Sequence, residues 1–138
     1  MSRHGCVDDC DADNWATIKW RGQVASSIRG KRGQKFLRDL RDALDAMPNK
    51  RLIGGDLING NDVCAIGCIG VSKGLPVQEI DPYDYDRLAK ELDIANPLVQ
   101  EVEWVNDEGG WGRDSPESRW CRMRAWVSAQ IRSDGDVR

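Results

Sequence analysis

The chain has 138 residues, of which 40% are hydrophobic and 31% are charged, and its formal net charge is −3. This balance excludes wholesale disorder, and the length fits one domain that buries about two-thirds of the surface of its unfolded chain. No apolar run reaches the roughly 18 residues of a membrane-spanning helix, and the first residues lack the apolar core of a signal peptide. We therefore expect a cytoplasmic protein with no membrane partner.

Charge is unevenly distributed along the chain. Residues 81–108 contain nine acids and two bases, whereas the segments on either side each contain two more bases than acids. Such segregation attracts an oppositely charged partner, or it lets the segments pack against one another. The modest total charge argues against a protein that mimics DNA by acidity alone.

The first half of the chain predicts two helices after a flexible polar lead-in at residues 1–12. Asp13 or Asn14 is expected to cap a helix that runs to about residue 28. One face of this helix is apolar and is expected to point inward: Trp15, Ile18, Ala25 and Ile28. A turn around Gly30 and Gly33 precedes a second helix, which Pro48 stops. Its apolar residues recur with the spacing of one helical face: Phe36, Leu37, Leu40, Ala43, Leu44 and Met47.

Residues 51–66 predict a small β-hairpin or an irregular insertion. Asn59 and Gly60 both tolerate positive φ, so this dipeptide is a strong hairpin signal. The apolar run at residues 63–71 is compatible with a buried strand or a short buried helix, and Gly67 and Gly70 weaken both interpretations. We favour the helix slightly, because an isolated hairpin adds little stability.

The second half predicts three further helices. One opens after Asp81 and Pro82 and covers about residues 84–92, and the next begins at Asn96 and Pro97. Ser115 and the following proline start the last helix, which runs to about residue 131. The apolar positions expected in the core are Leu88, Leu92, Leu98, Val99, Val102, Val105, Trp120, Met123, Val127 and Ile131. The prediction is a mainly α fold, a compact domain of about five helices at residues 13–132, followed by a frayed tail at 133–138.

Cysteine and histidine residues form two candidate metal-binding groups. His4, Cys6 and Cys10 lie close together near the start, and Cys64 and Cys68 form a second pair. Zinc requires four such ligands in a tetrahedron, but these spacings differ from the usual zinc motifs and the second pair lies in an apolar run. We expect reduced structural cysteines, with no metal and no other cofactor.

The sequence contains no recognisable catalytic motif. Its only histidine is His4, and it lacks the glycine-rich and serine motifs of nucleotide-binding proteins and hydrolases. A general acid–base pair could be drawn from Glu101, Glu103, Asp107 and Glu108, but acids at this density usually line a solvated helix face. We therefore predict no catalytic residues and a protein that is not an enzyme.

A basic turn offers an alternative, nucleic-acid-binding function. Arg29, Lys31, Arg32 and Lys35 are close enough in sequence to contact phosphates together. Three opposite-charge pairs at helical spacing reduce this signal: Lys35 with Asp39, Arg38 with Asp42, and Arg41 with Asp45.

The preferred interaction surface lies near the acidic turn that follows residue 104. The chain has six Trp but one Phe and two Tyr, and tryptophan is enriched at protein interfaces. The candidate partner-binding residues are Trp104, Asp107, Glu108, Trp111 and Arg113. In the alternative interpretation, both tryptophans pack over helix ends. The expected partner is a protein, with nucleic acid as the alternative.

Several long segments carry a resemblance to one group of proteins. They are WRGQVASSIRGKRGQKFLRDLRDALDAMPNKRLI, NGNDVCAIGCIGVSKG, the helix opened by Asp-Pro, EWVNDEGG, and SPESRWCRMRAWVSAQI. Together they resemble small proteins encoded by tailed phages and prophages, for which no activity is established. The resemblance implies expression inside a bacterial host and binding to a host or phage macromolecule, a protein above all, with inhibition of a defence system as one such role. It assigns no role to an individual residue.

Overall fold

The computed structural model describes residues 11–108 and 114–132. Within these ranges the chain forms six α-helices and one two-stranded hairpin, which confirms the predicted mainly α domain with a small hairpin. The elements in chain order are α1 (Asp11–Arg29), α2 (Lys31–Ala46), β1 (Ile58–Asn59), β2 (Asp62–Val63), α3 (Ala65–Ser72), α4 (Tyr85–Leu92), α5 (Asn96–Glu108) and α6 (Pro116–Gln130), with a 3-10 turn at Val77–Glu79 before α4. The predicted tail and residues 1–10 of the predicted lead-in lie outside the described residues.

Helix α2 forms the centre of the core. Its predicted apolar stripe is confirmed, and Leu37, Leu40 and Leu44 have no exposed surface. The helix packs against α1, α3 and α6. Its buried polar residue, Gln34, donates to the carbonyls of Ile28 and Gln130 and accepts from the amide of Arg132. These bonds satisfy the buried amide and fix the α1–α2 turn against the end of α6.

Helix α1 differs from its prediction in both its start and its buried face. It begins at Asp11, two residues before the first predicted cap. Trp15 and Ile18 are 63% and 52% exposed, so the prediction that they point inward is wrong, and Val24 is buried instead. The helix contacts α2 and α5, and those contacts select the side that carries Val24 and Ile28.

The apolar run after the hairpin is a helix rather than a strand. The corner of the hairpin is Gly60–Asn61, one residue later than predicted, because Ile58 pairs with Val63 and Asn59 pairs with Asp62. Gly60 has φ 64°, and Asn61 does not have a positive φ, as in a type II′ turn. Helix α3 follows at once and is buried from Ala65 to Gly70.

Helices α4 and α6 begin and end close to where the sequence predicts, whereas α5 continues to Glu108, through residues 106–108 that the sequence predicts as an acidic turn. Asp84 caps α4 by accepting from the amide of Arg87, and Asp93, with φ 56°, ends the helix in a left-handed conformation. Ser115 caps α6 by accepting from the amide of Ser118. The predicted core positions of α4 and α5 are buried, as are Met123 and Val127 of α6, whereas Trp120 and Ile131 are partly buried.

Candidate partner-binding cleft

Helix α5 lines a cleft of about 220 Å³ with a row of polar and aromatic side chains. The row follows the three-and-four spacing of one helical face: Gln100, Glu103, Trp104, Asp107 and Glu108. The other walls are aromatic, because Trp20 comes from α1, Tyr83 from the turn before α4 and Tyr85 from the first residue of α4. We call these eight residues the α5 cleft.

Local hydrogen bonds hold the tyrosine wall in position. The carboxylate of Asp81 accepts from the backbone amide of Tyr83 at 2.8 Å, which forms a tight turn before α4. The rings of Tyr83 and Tyr85 then meet edge to face, with their centroids 6.4 Å apart. Tyr83 is 67% exposed, so it forms the outer rim of the cleft, while Tyr85 lies deeper.

Glu103 is the most unusual group in the cleft. Only 8% of the residue is exposed, yet its carboxyl group has no hydrogen bond and no ion pair in the part of the chain that the structure describes. Burial, reinforced by the negative charge of Asp107, raises the pKa of Glu103 to about 8. A large fraction of this carboxyl group is therefore protonated at neutral pH.

Asp107 lies one turn further along α5 and is held in place. Its Oδ1 atom accepts from the side-chain amide of Asn106 at 2.7 Å and from the backbone amide of Gly55 at 3.2 Å. The two carboxyl groups therefore differ, because Asp107 is anchored by hydrogen bonds and Glu103 is not.

The end of α5 is fixed by a network that we call the α5 anchor: Asn106, Arg119 and Arg122. The Oδ1 atom of buried Asn106 accepts from the amide of Ala65, and its Nδ2 atom donates to the carbonyl of Ile53. Arg119 donates to the carbonyl of Asn106 at 2.9 Å, and Arg122 donates to the last carbonyls of the helix. Cations at a helix C-terminus satisfy its free carbonyls and favour its dipole.

The structure brings together three of the five predicted partner-binding residues. Trp104, Asp107 and Glu108 all line the α5 cleft, whereas Trp111 and Arg113 lie outside the described residues. The aromatic wall and Gln100 were not predicted from the sequence, and Glu103 was predicted only as a candidate acid. Helical spacing alone places Gln100 and Glu103 on the same face of α5 as Trp104, so this part of the cleft could have been predicted from the sequence.

The four acids considered for general acid–base chemistry do not share one site. Glu103, Asp107 and Glu108 line the α5 cleft, while buried Glu101 lines a second cleft of about 300 Å³ together with residues that include Arg21, Arg29 and Trp126.

The basic turn is partly neutralised by neighbouring acids. Arg32 pairs with Asp93 at 3.0 Å. Lys35 pairs with Asp39 at 2.8 Å, as predicted, and Lys73 reaches the same carboxylate at 3.0 Å. No such ion pair forms at Lys31 within residues 11–108 and 114–132.

The predicted pair of Arg41 with Asp45 does not form. Arg41 contacts Asp42 instead of Asp45, and Asp45 forms a two-point ion pair with Arg124 of α6. Arg38 donates to the carbonyl of Arg132 at 2.7 Å. The ion pair with Arg124 of α6 therefore replaces the predicted pairing of Asp45 with Arg41.

Cys64 and Cys68 lie in buried structural positions, whereas Cys121 is exposed. The Sγ atom of Cys64 accepts from the amide of Gly67 and caps α3, and burial raises the pKa of this thiol to about 12. Cys68 is also buried, and its pKa is raised to about 11. Both thiols are therefore protonated at neutral pH and are poor nucleophiles. His4, Cys6 and Cys10 lie outside the described residues.

Comparison with known proteins gives no family assignment. No model of a protein family matches the chain, and no curated protein or solved structure matches it. Among the described helices, none combines the length and the apolar character needed to cross a membrane.

Proposed function

We propose that the chain is a non-enzymatic accessory protein that binds a host or phage protein through the α5 cleft. The observation that carries this proposal is a concave surface lined by four aromatic side chains and three carboxyl groups. Aromatic residues beside charged groups are typical of the residues that dominate binding at protein interfaces. We place its action in the cytoplasm of a bacterial host, which is the context implied by the resemblance to phage and prophage proteins.

Cross-linking from the rim of the cleft tests this proposal. Tyr83 is replaced by a photoreactive phenylalanine derivative, which preserves an exposed aromatic ring, and the protein is irradiated inside bacterial cells. Trp15 is the matched control, because it is also an exposed aromatic residue but does not line the cleft. We expect a discrete cross-linked protein from position 83 that is absent from position 15.

Two results would contradict the proposal. The cleft is not the binding site if position 83 gives no adduct, or if both positions give the same adducts. The protein is not merely a binding module if the captured partner is chemically modified and the modification disappears in the Asp107→Ala or Glu101→Ala variant.

Inhibition of a bacterial defence system is the specific role that we propose for this binding. Expression of the protein in cells that carry such a system should restore phage plating, whereas a Trp104→Ala variant of equal abundance should not. If both proteins restored plating, the inhibition would not depend on the cleft.

A further inference from the structure

We propose that the α5 cleft binds a lysine or arginine side chain from a basic segment of its protein partner. This inference rests on the proposed function and adds the chemistry of the group that is recognised.

The first support is the isolated carboxyl group of Glu103. Only 8% of the residue is exposed, its side chain lines the cleft, and among residues 11–108 and 114–132 no side chain or backbone amide donates to its carboxyl group. Buried carboxyl groups are almost always hydrogen-bonded or paired with a cation. A cationic group that enters the cleft would supply a donor to this carboxyl group, because ammonium and guanidinium groups carry several N–H donors and no acceptor.

The second support is the chemistry of the walls. Trp20, Trp104 and Tyr85 offer aromatic surfaces, and aromatic faces attract ammonium and guanidinium groups. Asp107 and Glu108 add negative charge at the same edge. A cleft of about 220 Å³ is smaller than the roughly 300–1,000 Å³ of pockets for drug-sized ligands, so it suits a single side chain.

The third support is that, among residues 11–108 and 114–132, no cationic side chain contributes to the pKa shift of Glu103. The charge that raises the pKa of Glu103 belongs to Asp107, and Glu103 in turn affects the pKa of Tyr85 on α4 and of Cys64 before α3. None of these groups is a base. A bound ammonium or guanidinium group would therefore be the cation that stabilises the ionised form of Glu103, and binding at neutral pH should release protons.

Calorimetric titration of the full chain with three peptides tests the inference. Hexa-arginine and hexa-lysine carry the two cationic groups, and hexa-citrulline has nearly the shape of hexa-arginine without its charge. We expect at least one cationic peptide to bind at least tenfold more tightly than hexa-citrulline. The affinity should rise between pH 6 and pH 9, because Glu103 must ionise to bind. Comparing the two cationic peptides shows which side chain is preferred.

Three variants separate binding in the cleft from general attraction to an acidic protein. Glu103→Gln should weaken binding of the cationic peptide at least tenfold and remove most of its pH dependence. Glu79→Gln removes the same charge from an exposed position outside the cleft and should leave the affinity within twofold of the original protein. Tyr83→Ala, at the exposed rim, should weaken binding about threefold without affecting the core.

The inference is overturned if hexa-citrulline binds as tightly as the cationic peptides, or if the two glutamine variants weaken binding equally. It is also overturned if Glu103→Gln binds like the unmodified protein. If the peptides fail while position 83 still cross-links a partner, the proposed function stands and the cationic ligand is wrong. If the peptides bind but no partner is captured, the cleft chemistry stands and the proposed function fails.

Discussion

The buried carboxyl group of Glu103 should make the protein less stable as the pH rises. Its pKa is about 8 in the folded protein, against an ordinary value of 4.5. Between these values the folded state retains a proton that the unfolded state has lost. The favourable contribution of the protonated group to stability is therefore complete below pH 4.5 and is lost as the pH rises through 8.

The size of this effect follows from the shift. One pKa unit corresponds to about 1.4 kcal/mol, so a shift from 4.5 to about 8 corresponds to about 5 kcal/mol without solvent screening. The carboxyl group borders an open cleft, and water screens part of its charge. We expect this group to lower the free energy of unfolding by about 2–3 kcal/mol between pH 5 and pH 9.

Urea unfolding of Glu103→Gln and of the original protein, followed by circular dichroism from pH 5 to pH 9, measures the effect. Glutamine does not titrate, so the variant should gain about 2–3 kcal/mol over the original protein across this range. For Glu79→Gln, at an exposed position, the free energy of unfolding should change with pH as it does in the original protein. Parallel curves for Glu103→Gln would show that burial does not perturb the carboxyl group and would refute the reasoning.

Three further predictions concern the packing of the domain, and each is measured by urea unfolding. Leu40→Ala should cost about 2–5 kcal/mol because the side chain is fully buried, whereas Ile18→Ala should cost less than about 1 kcal/mol; equal costs would contradict the observed face of α1. Gly67→Ala should destabilise by several kcal/mol, because a Cβ atom would lie 1.9 Å from a backbone carbonyl oxygen, while Gly22→Ala has open space inside a helix and should stabilise by about 0.5–1 kcal/mol. Asn106→Leu removes the acceptor of the Ala65 backbone amide and should lower the free energy of unfolding by about 1–3 kcal/mol. An unchanged free energy of unfolding would show that the α5 anchor does not stabilise the domain.

The elements that could be predicted from the sequence are those defined by local signals. Ser115 and Pro116 fix the start of α6, and Pro48 fixes the stop after α2, because capping and proline chemistry depend on a few neighbouring residues. The apolar stripe of α2 identified its buried face, since the helix packs along most of its length. The hairpin was located to within one residue.

The parts that could not be predicted depend on packing between distant segments. Trp15 and Ile18 have the spacing of a buried face, but α2 and α5 contact another side of α1. The sequence of α1 alone does not show which side its neighbours contact. The glycines of α3 weakened both interpretations of its sequence. In the structure Gly67 allows the helix to approach the carbonyl of Leu57, which is a tertiary contact.

The same distinction between local and long-range information applies to the cleft. Its α5 side could be predicted from helical spacing, which places Glu103, Trp104 and Asp107 on one face. The aromatic wall could not be predicted, because Trp20 lies more than sixty positions from Tyr83 in the sequence and comes close to it only in the folded domain. The isolation of Glu103 is likewise visible only once its neighbours are in place.

The α5 anchor has a consequence for any attempt to transplant the cleft. The last turn of α5 is held by donors from α6 and by the loop before the hairpin, segments that are separate in sequence. A synthetic peptide of α5 alone would lose these supports and fray where Asp107 lies. The binding proposed for this surface therefore requires the whole domain, and a graft of the cleft must include the complete scaffold.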